Sequence, residues 1–226
     1  MQLTIPTLHG GQVTIATDPH KRKAVLCGRR WGKTVALVAL AADAMVRGKS
    51  VGIFCPQYKF QSEIYHELLM ILQPLRPVAS KTEGLIRLPQ TGGRCDFWTL
   101  ENSTAGRGRK YHLALIDEAG FAKDGPDGMQ AIWSRAIEPT LLDYRGQAIA
   151  FSTPAGVDQE NWFWGICQQG SGWRKFKSPS RTNPYLPLDE LERLKETMHP
   201  MAYKQEFEAE WVDWSGVAFF RLPDLL

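Results

Sequence analysis

Short apolar segments alternate with longer amphipathic segments along most of the chain. Apolar runs predict strands, and apolar side chains spaced three to four residues apart predict helices. The predicted strands are residues 23–27, 51–55, 112–116 and 148–151, and the predicted helices are residues 33–46, 57–72 and 129–142, the last interrupted near Pro139. This alternation predicts an α/β fold in which helices cover both faces of a parallel sheet.

Three further segments depart from the alternation. Residues 85–88 and 95–100 flank a turn with two adjacent glycines, which predicts a β-hairpin. Residues 173–177 predict one more strand, and residues 188–214 predict a helical tail with an acidic face.

The length and composition narrow the class of protein. The chain has 226 residues, which suits one large domain with a small extension. Hydrophobic residues make up 43% and charged residues 23%, and no apolar run approaches the roughly 20 residues that cross a bilayer. Membrane-spanning, collagen-like and disordered classes are therefore excluded. The first ten residues do not resemble a secretory signal, so we expect a cytosolic protein.

The four cysteines are Cys27, Cys55, Cys95 and Cys167, and no two of them form a CxxC pair. This spacing argues against a zinc site and against a disulfide scaffold. We expect reduced and mostly buried thiols.

The formal net charge of +3 conceals an uneven distribution. Residues 189–226 contain nine acidic and four basic residues, so the preceding residues carry +8. Between Asn161 and Leu188 there are four basic residues and no acidic one. Such a field suits a polyanionic partner, although basic runs are also common on solvated surfaces.

The turn between the first strand and the first helix reads Gly28-Arg29-Arg30-Trp31-Gly32-Lys33-Thr34. Amides of a glycine-containing turn at a helix N-terminus bind phosphate oxygens, a following lysine reaches the β- and γ-phosphates, and a following hydroxyl binds Mg²⁺. We therefore expect this phosphate loop (residues 28–34) to bind ATP and Mg²⁺ through Lys33 and Thr34. The full pattern has glycine where Cys27 stands, and an ordinary turn with a surface lysine is the alternative.

Two arginines are unusual inside such a loop, where small residues let the backbone approach the phosphates. Arg29 is the stronger candidate for a side chain that folds over the γ-phosphate and stabilises the charge of the transition state. Arg30 is the weaker candidate. For both, an arginine that faces solvent or DNA is the alternative.

A short apolar strand ends in Asp117 and Glu118. After a phosphate loop, such a pair predicts that the first carboxylate holds Mg²⁺ and the second polarises the attacking water as general base. We therefore expect ATP hydrolysis. The adjacent glutamate favours an ATPase of the additional-strand type over a nucleotide kinase or a GTPase.

The predicted strand at residues 148–151 leads into Ser152, Thr153 and Pro154. Small hydroxyl side chains beside a γ-phosphate can sense its loss and pass the change to neighbouring elements. Ser152 and Thr153 are therefore candidate coupling residues, although strand ends favour these residue types in any case.

Taken in order, these motifs resemble the ATPase domain of the large terminase subunit, the DNA-packaging motor of tailed bacteriophages. CGRRWGKT resembles its arginine-containing Walker A motif, LALIDEA its Walker B motif and FSTP its coupling motif. Segments such as CPQYKFQSEIYHELL, LPQTGGRCDFWTLEN and YKQEFEAEWVDWSGVAFF extend the resemblance over almost the whole chain. It implies a P-loop NTPase of RecA-like type, with a mostly parallel central sheet, flanking helices and a small lid subdomain.

The resemblance implies roles for two more residues. LHGGQ resembles the adenine-recognition Q motif, which nominates Gln12, with a polar residue in an N-terminal turn as the alternative. In some family members an arginine in the segment matching AGRGRKYHLALIDEA reaches the ATP of the neighbouring subunit, and Arg107 is the match by position. A loop arginine that contacts DNA or solvent is the alternative.

The resemblance also implies an ATPase domain with lid elements at residues 1–200 and a helical linker at residues 201–226. A metal-dependent nuclease domain follows in the family, and we expect this chain to hydrolyse ATP without cutting DNA. The implied partners are double-stranded DNA, a portal, the small terminase subunit and further copies in a homo-oligomeric ring, a pentamer in the family. The implied location is the host cell cytoplasm, away from membranes.

Two other functions remain open from the sequence. A RecA-like helicase or translocase shares both nucleotide motifs, although such enzymes usually carry two modules in one chain. A module that binds nucleotide for a structural or regulatory purpose is the other alternative.

Overall fold

The computed structural model describes residues 3–215, and its core is one eight-stranded sheet. The strands are β1 (Arg22–Cys27), β2 (Ser50–Cys55), β3 (Val78–Ser80), β4 (Leu85–Leu88), β5 (Gly93–Thr99), β6 (Leu113–Ile116), β7 (Gln147–Ser152) and β8 (Arg174–Ser178). The four strands predicted from apolar runs are all present, each within one residue of its predicted ends. The predicted hairpin and the predicted last strand are also confirmed.

The strand order is β3-β4-β5-β2-β6-β7-β1-β8. The six strands from β5 to β8 in this order pair in parallel, whereas β4 is antiparallel to both of its neighbours. The sheet is therefore mostly parallel, which confirms the predicted α/β fold.

Seven helices lie in the described part of the chain. They are α1 (Gly10–Thr17), α2 (Lys33–Val46), α3 (Tyr58–Leu72), α4 (Met129–Ile132), α5 (Trp162–Ile166), α6 (Leu188–Thr197) and α7 (Pro200–Glu206). Sequence patterning did not indicate α1, because its segment GGQVTIAT begins with two glycines, or α5, which is only five residues long.

Helices and turns bury both faces of the sheet. Successive strand residues point to opposite faces, so Val25 and Ile53 pack with α2 and α3, whereas Leu26 and Phe54 pack with Trp133 on the other side. Burial on both faces explains why these strands read as continuous apolar runs.

Two helix predictions are partly wrong. Residues 129–142 form α4, a π-turn (Trp133–Ile137) and a 3₁₀ turn (Glu138–Leu141) in place of one interrupted helix. Pro139 lacks an amide hydrogen, so a regular α-helix cannot continue through it.

The tail is not one helix either. Its backbone is extended at His199, the residue before Pro200, as proline requires, and α7 then ends at Glu206. Residues 207–214 are not helical, and Val157 donates a 3.0 Å backbone hydrogen bond to the carbonyl of Val212.

The predicted boundary between residues 200 and 201 falls at the start of α7. The carbonyl of Glu206, at the end of this helix, accepts a 2.6 Å hydrogen bond from the Arg29 amide in the phosphate loop. The linker's first residues therefore contact the ATPase core, and its last eleven, 216–226, lie outside the described residues. The lid subdomain and the domain boundary stay predictions.

Candidate active site

Three neighbouring strands end at one edge of the sheet and bring the predicted site residues together. β1 lies beside β7, β7 lies beside β6, and all three are parallel. Their carboxyl ends lead into the phosphate loop, into Ser152–Thr153 and into Asp117–Glu118 respectively. Ligands of open α/β sheets bind at this edge.

The phosphate loop turns sharply between Gly28 and the start of α2. Gly32 has a φ of 101° and Arg30 a φ of 61°, so both adopt the left-handed conformation, which is uncommon for arginine. In the described part of the chain, the amides of Gly32, Lys33 and Thr34 have no hydrogen-bond acceptor. Free amides at a helix N-terminus bind anions, so the loop has the geometry of a phosphate site.

The Lys33 amine lies 3.1 Å from a carboxylate oxygen of Glu118, and the two side chains are 11% and 20% exposed. Burial disfavours the charged amine, but the negative charges of Glu118 and Asp117 outweigh it and raise the pKa of Lys33 above its ordinary value. Lys33 is therefore charged at neutral pH and held beside the predicted general base.

Asp117 is buried, and its Oδ1 atom has no hydrogen-bond partner among the described residues. Burial raises the pKa of Asp117 to about 7, and repulsion from Glu118 adds to this effect, while Lys33 opposes it. A buried carboxylate oxygen without a partner fits a role beside a hydrated Mg²⁺ ion, which prefers oxygen ligands. Thr34 lines the adjoining cleft, as the predicted metal role requires.

Ser152 links the end of β7 to the predicted base. Its hydroxyl donates to Glu118 at 3.5 Å and accepts a 3.0 Å hydrogen bond from the amide of Gly120. Glu118 itself has a φ of 48°, a strained conformation that such contacts help to maintain. Thr153 lines the same cleft. The structure thus places both candidate coupling residues at the site.

Arg29 and Arg30 both line the cleft. The Arg29 guanidinium lies 3.6 Å from the carboxylate of Glu206, and its side chain is 66% exposed. Such an exposed pair holds the side chain only weakly, so Arg29 can reach a γ-phosphate by rotating within the cleft. The roles of both arginines stay predictions.

Arg107 lies elsewhere. It lines a second pocket of about 130 Å³ together with Ser103 and Arg135, and it does not line the phosphate-loop cleft of its own chain. An action of Arg107 on nucleotide therefore requires a neighbouring copy, and this role stays a prediction.

Gln12 is 3% exposed and contacts the phosphate loop directly. Its amide nitrogen donates a 2.8 Å hydrogen bond to the Gly32 carbonyl, and its oxygen accepts a 3.0 Å bond from the His9 amide. Both ends of the amide thus bind backbone, and contact with an adenine base stays a prediction. Trp31 is fully buried, so only its backbone can contribute to nucleotide binding.

The cleft has a volume of about 890 Å³, which suits a nucleotide. Phe60, Phe121, Tyr185 and Leu186 add an apolar wall to it. Its only described carboxylates besides Glu118 are those of Glu63, Glu67 and Glu206.

Sequence reasoning missed several residues that shape the site. Ser180 and Asn183 donate hydrogen bonds to phosphate-loop carbonyls, although they are about 150 residues away in the chain. Asn161 donates a 3.0 Å hydrogen bond to the carbonyl of Gly120 beside Glu118. No local pattern marks such residues, because their partners are adjacent only in the folded chain.

Searches against known proteins agree with this geometry. The large terminase subunit of Escherichia phage T5 is 28% identical over 94% of this chain, and that of Thermus phage G20c is 28% identical over 74%. The chain is a homologue of phage large terminase subunits. It spans about half the length of the T5 protein, 50%, and 36% of the G20c protein. No protein-family profile matches the chain.

Solved terminase structures share its fold. The large terminase ATPase domain of Thermus phage P74-26 has a TM-score of 0.72 at 19% identity, with 91% of this chain and 94% of that chain covered. The large terminase of another thermophilic bacteriophage, in complex with ATP-gamma-S, has a TM-score of 0.66 at 16% identity, with 91% and 53% covered. The terminase homologue therefore has the P-loop, RecA-like fold of these ATPase domains.

Two searches within residues 3–215 gave no hit. No group of three or more histidine, cysteine or acidic side chains is arranged to hold a metal ion. No described helix is long and apolar enough to cross a bilayer.

Proposed function

We propose that this chain is the ATP-hydrolysing motor domain of a phage DNA-packaging terminase. The observation that carries the proposal is the convergence of Lys33, Asp117 and Glu118 beside the free amides of the phosphate loop. The neighbour from the second thermophilic phage was solved with ADP and with ATP-gamma-S, which supports a nucleotide as the ligand of this fold.

Each site residue has a defined task in this proposal. Phosphate oxygens bind the amides of Gly32 and Lys33 and compete with Glu118 for the Lys33 amine, which frees the carboxylate to accept a proton from the attacking water. Mg²⁺, held by Thr34 and Asp117, supplies positive charge that offsets the phosphate charge. Arg29 stabilises the charge that develops on the transferring phosphoryl group.

Hydrolysis would then drive double-stranded DNA into a procapsid. Ser152 and Thr153 detect loss of the γ-phosphate through the contact of Ser152 with Glu118. The proposed assembly is a ring of copies on a portal, supplied with DNA by the small terminase subunit in the host cytoplasm. Grip on the DNA is independent of sequence, since phosphate contacts carry no base information. The proposal assigns no DNA cleavage to these residues.

Phosphate release in the presence of different nucleic acids tests the proposal. We expect Mg²⁺-dependent ATP hydrolysis that intact duplex DNA or a portal stimulates. Stimulation by single strands together with duplex unwinding would support the helicase alternative instead. Nucleotide binding without phosphate release under any assembly condition would support a regulatory module.

The proposed role of Arg107 has its own test. If Arg107 acts on a neighbour's ATP, an Arg107→Ala protein retains an intact phosphate loop, and a Lys33→Ala protein retains an intact Arg107. Mixing the two inactive proteins should therefore restore part of the hydrolysis. Absence of any complementation at concentrations where the wild type assembles would contradict the role.

A further inference from the structure

Four consecutive carbonyls of the phosphate loop, those of residues 29–32, each accept a hydrogen bond from a distant side chain. The donors and distances are the Ser180 hydroxyl to Arg29 at 2.6 Å, the Asn183 amide to Arg30 at 2.8 Å, the His9 Nε2 to Trp31 at 3.2 Å and the Gln12 amide to Gly32 at 2.8 Å. Two donors precede the loop in sequence, and two follow it by about 150 residues.

All four donor side chains are buried. Ser180 is fully buried, and the exposed fractions of Gln12, His9 and Asn183 are 3%, 6% and 8%. A buried carbonyl that loses its donor cannot regain the lost bond from water without rearrangement. These contacts therefore fix the orientation of each peptide unit in the loop.

Orientation of these peptides matters for anion binding. Carbonyl oxygens that are held away from the cleft leave the amides at the start of α2 free to point into it. A binding site that is already in its bound geometry loses less conformational entropy when the ligand arrives. The left-handed conformation of Arg30 is costly for a residue with a side chain and needs such support.

The turn formed by residues 180–183 contributes most of this support on one side. The Asn183 amide has a single consistent orientation, because its Oδ1 atom accepts a 3.0 Å bond from the Tyr185 amide while its Nδ2 atom donates to Arg30. The hydroxyl of Thr182 accepts a 3.0 Å bond from the indole of Trp31. Asn183 also lines the cleft.

We propose that Ser180, Thr182 and Asn183 are positioning residues that hold the phosphate loop ready for the phosphates of a nucleotide. The inference rests on the proposed function, because it concerns the nucleotide of that same site. It adds that nucleotide affinity depends on a turn that contacts the loop only from the side away from the phosphates.

The same turn ties the loop to the tail. The Ser180 amide donates a 2.8 Å bond to the Phe207 carbonyl, and the Arg29 amide donates a 2.6 Å bond to the Glu206 carbonyl. Displacement of the end of α7 would therefore disturb the loop directly and through the turn. Nucleotide affinity is in this way coupled to the position of residues 206–207.

The Asn183→Asp substitution is the sharpest test. It keeps the shape and the bond from Tyr185, but a carboxylate cannot donate to the Arg30 carbonyl. We expect the dissociation constant for Mg²⁺–ATP-gamma-S, measured by titration calorimetry, to rise by about tenfold or more while the unfolding midpoint without nucleotide changes little.

A matched control is Gln90→Glu, which makes the same charge change in an exposed turn. That turn lies at the far end of α2, where the Thr91 hydroxyl donates to the Met45 carbonyl, about 20 Å from the loop. This variant should bind nucleotide like the wild type. Equal affinity of folded Asn183→Asp and wild-type protein would overturn the inference and leave the proposed function intact. Failure of the wild type to bind nucleotide would contradict the proposed function and the inference with it.

A second pair of variants decides the matter if Asn183→Asp does not fold. Thr182→Val keeps the shape but removes the acceptor for the Trp31 indole, whereas Thr182→Ser keeps the hydroxyl. We expect weaker nucleotide binding, by about threefold or more, for the valine variant and near-normal binding for the serine variant. Identical affinities of the two folded variants would overturn the inference.

Discussion

At the scale of single residues, Asp117 is the side chain whose environment differs most from water among the groups proposed to bind ATP and its metal. Its pKa of about 7 means that the folded state keeps a proton on this carboxyl up to neutral pH. An unfolded aspartate loses that proton near pH 4. Between these values the folded state binds more protons than the unfolded state, so this group's contribution to stability falls as pH rises from 4 to 7.

The Asp117→Asn variant isolates this contribution. In metal-free and nucleotide-free buffer we expect the variant to be more stable than the wild type at pH 8. The gap should narrow by about 1.4 kcal/mol for each pH unit between 7 and 5, because the wild type then takes up the proton. Urea unfolding at several pH values measures the gap. A gap that stays constant over this range would contradict the raised pKa.

Ser152 belongs to the same scale, since it contacts the base without contacting the phosphates in the proposed mechanism. Ser152→Ala removes the bonds to Glu118 and Gly120, so we expect the turnover number to fall by about tenfold with nucleotide affinity unchanged. Steady-state hydrolysis together with calorimetry separates the two effects. Ser134→Ala, which removes a hydroxyl that bonds only within its own helical turn, is the control. Unchanged turnover in Ser152→Ala would show that the contact does not position Glu118.

At the scale of elements, the phosphate loop packs against the turn at residues 180–183 and the end of α7 with no space to spare. A Cβ atom added at Gly28 would collide with the Ser180 hydroxyl and lie 2.6 Å from the Phe207 carbonyl. Glycine is therefore required there by close approach of backbone, and not by its φ angle.

Gly28→Ala tests this packing. We expect a loss of about 1–3 kcal/mol in the free energy of unfolding, as overpacked sites show. Chemical denaturation measures it, and Gly10→Ala is the control because a Cβ at that position meets nothing within 4 Å. Equal stability of Gly28→Ala and the wild type would contradict the close packing of these elements.

The elements also show how far sequence patterning extends. β1, α2, β6 and β7 carry strong apolar patterns, and their order alone placed Lys33, Asp117, Glu118 and Ser152 at one edge of the sheet. The roles of Gln12 and Asn183 as supports of the loop could not be predicted, because a polar side chain in a turn has no periodic signal. The tail helix was predicted too long because an acidic amphipathic pattern continues past Pro200, where the backbone cannot remain helical.

At the scale of the whole molecule, the sheet topology explains how one chain combines a rigid site with a mobile output. β1, β6 and β7 fix the phosphate loop and the two carboxylates on a buried scaffold. The segment from β8 to α7 lies at the sheet edge and contacts the loop through a few hydrogen bonds. Such an arrangement suits a motor, in which nucleotide-dependent changes must leave the site and reach the surface.

The most direct measurement of the central claim is phosphate release by Glu118→Gln beside the wild type, with nucleotide binding measured on the same samples. Glutamine keeps the shape of the side chain but cannot accept the proton of the attacking water. We expect wild-type protein, in its assembled state with duplex DNA, to hydrolyse ATP, and Glu118→Gln to bind Mg²⁺–ATP with a turnover reduced by about a hundredfold or more. Near-normal hydrolysis by the variant would contradict the assignment of Glu118 as the general base and, with it, the proposed active site.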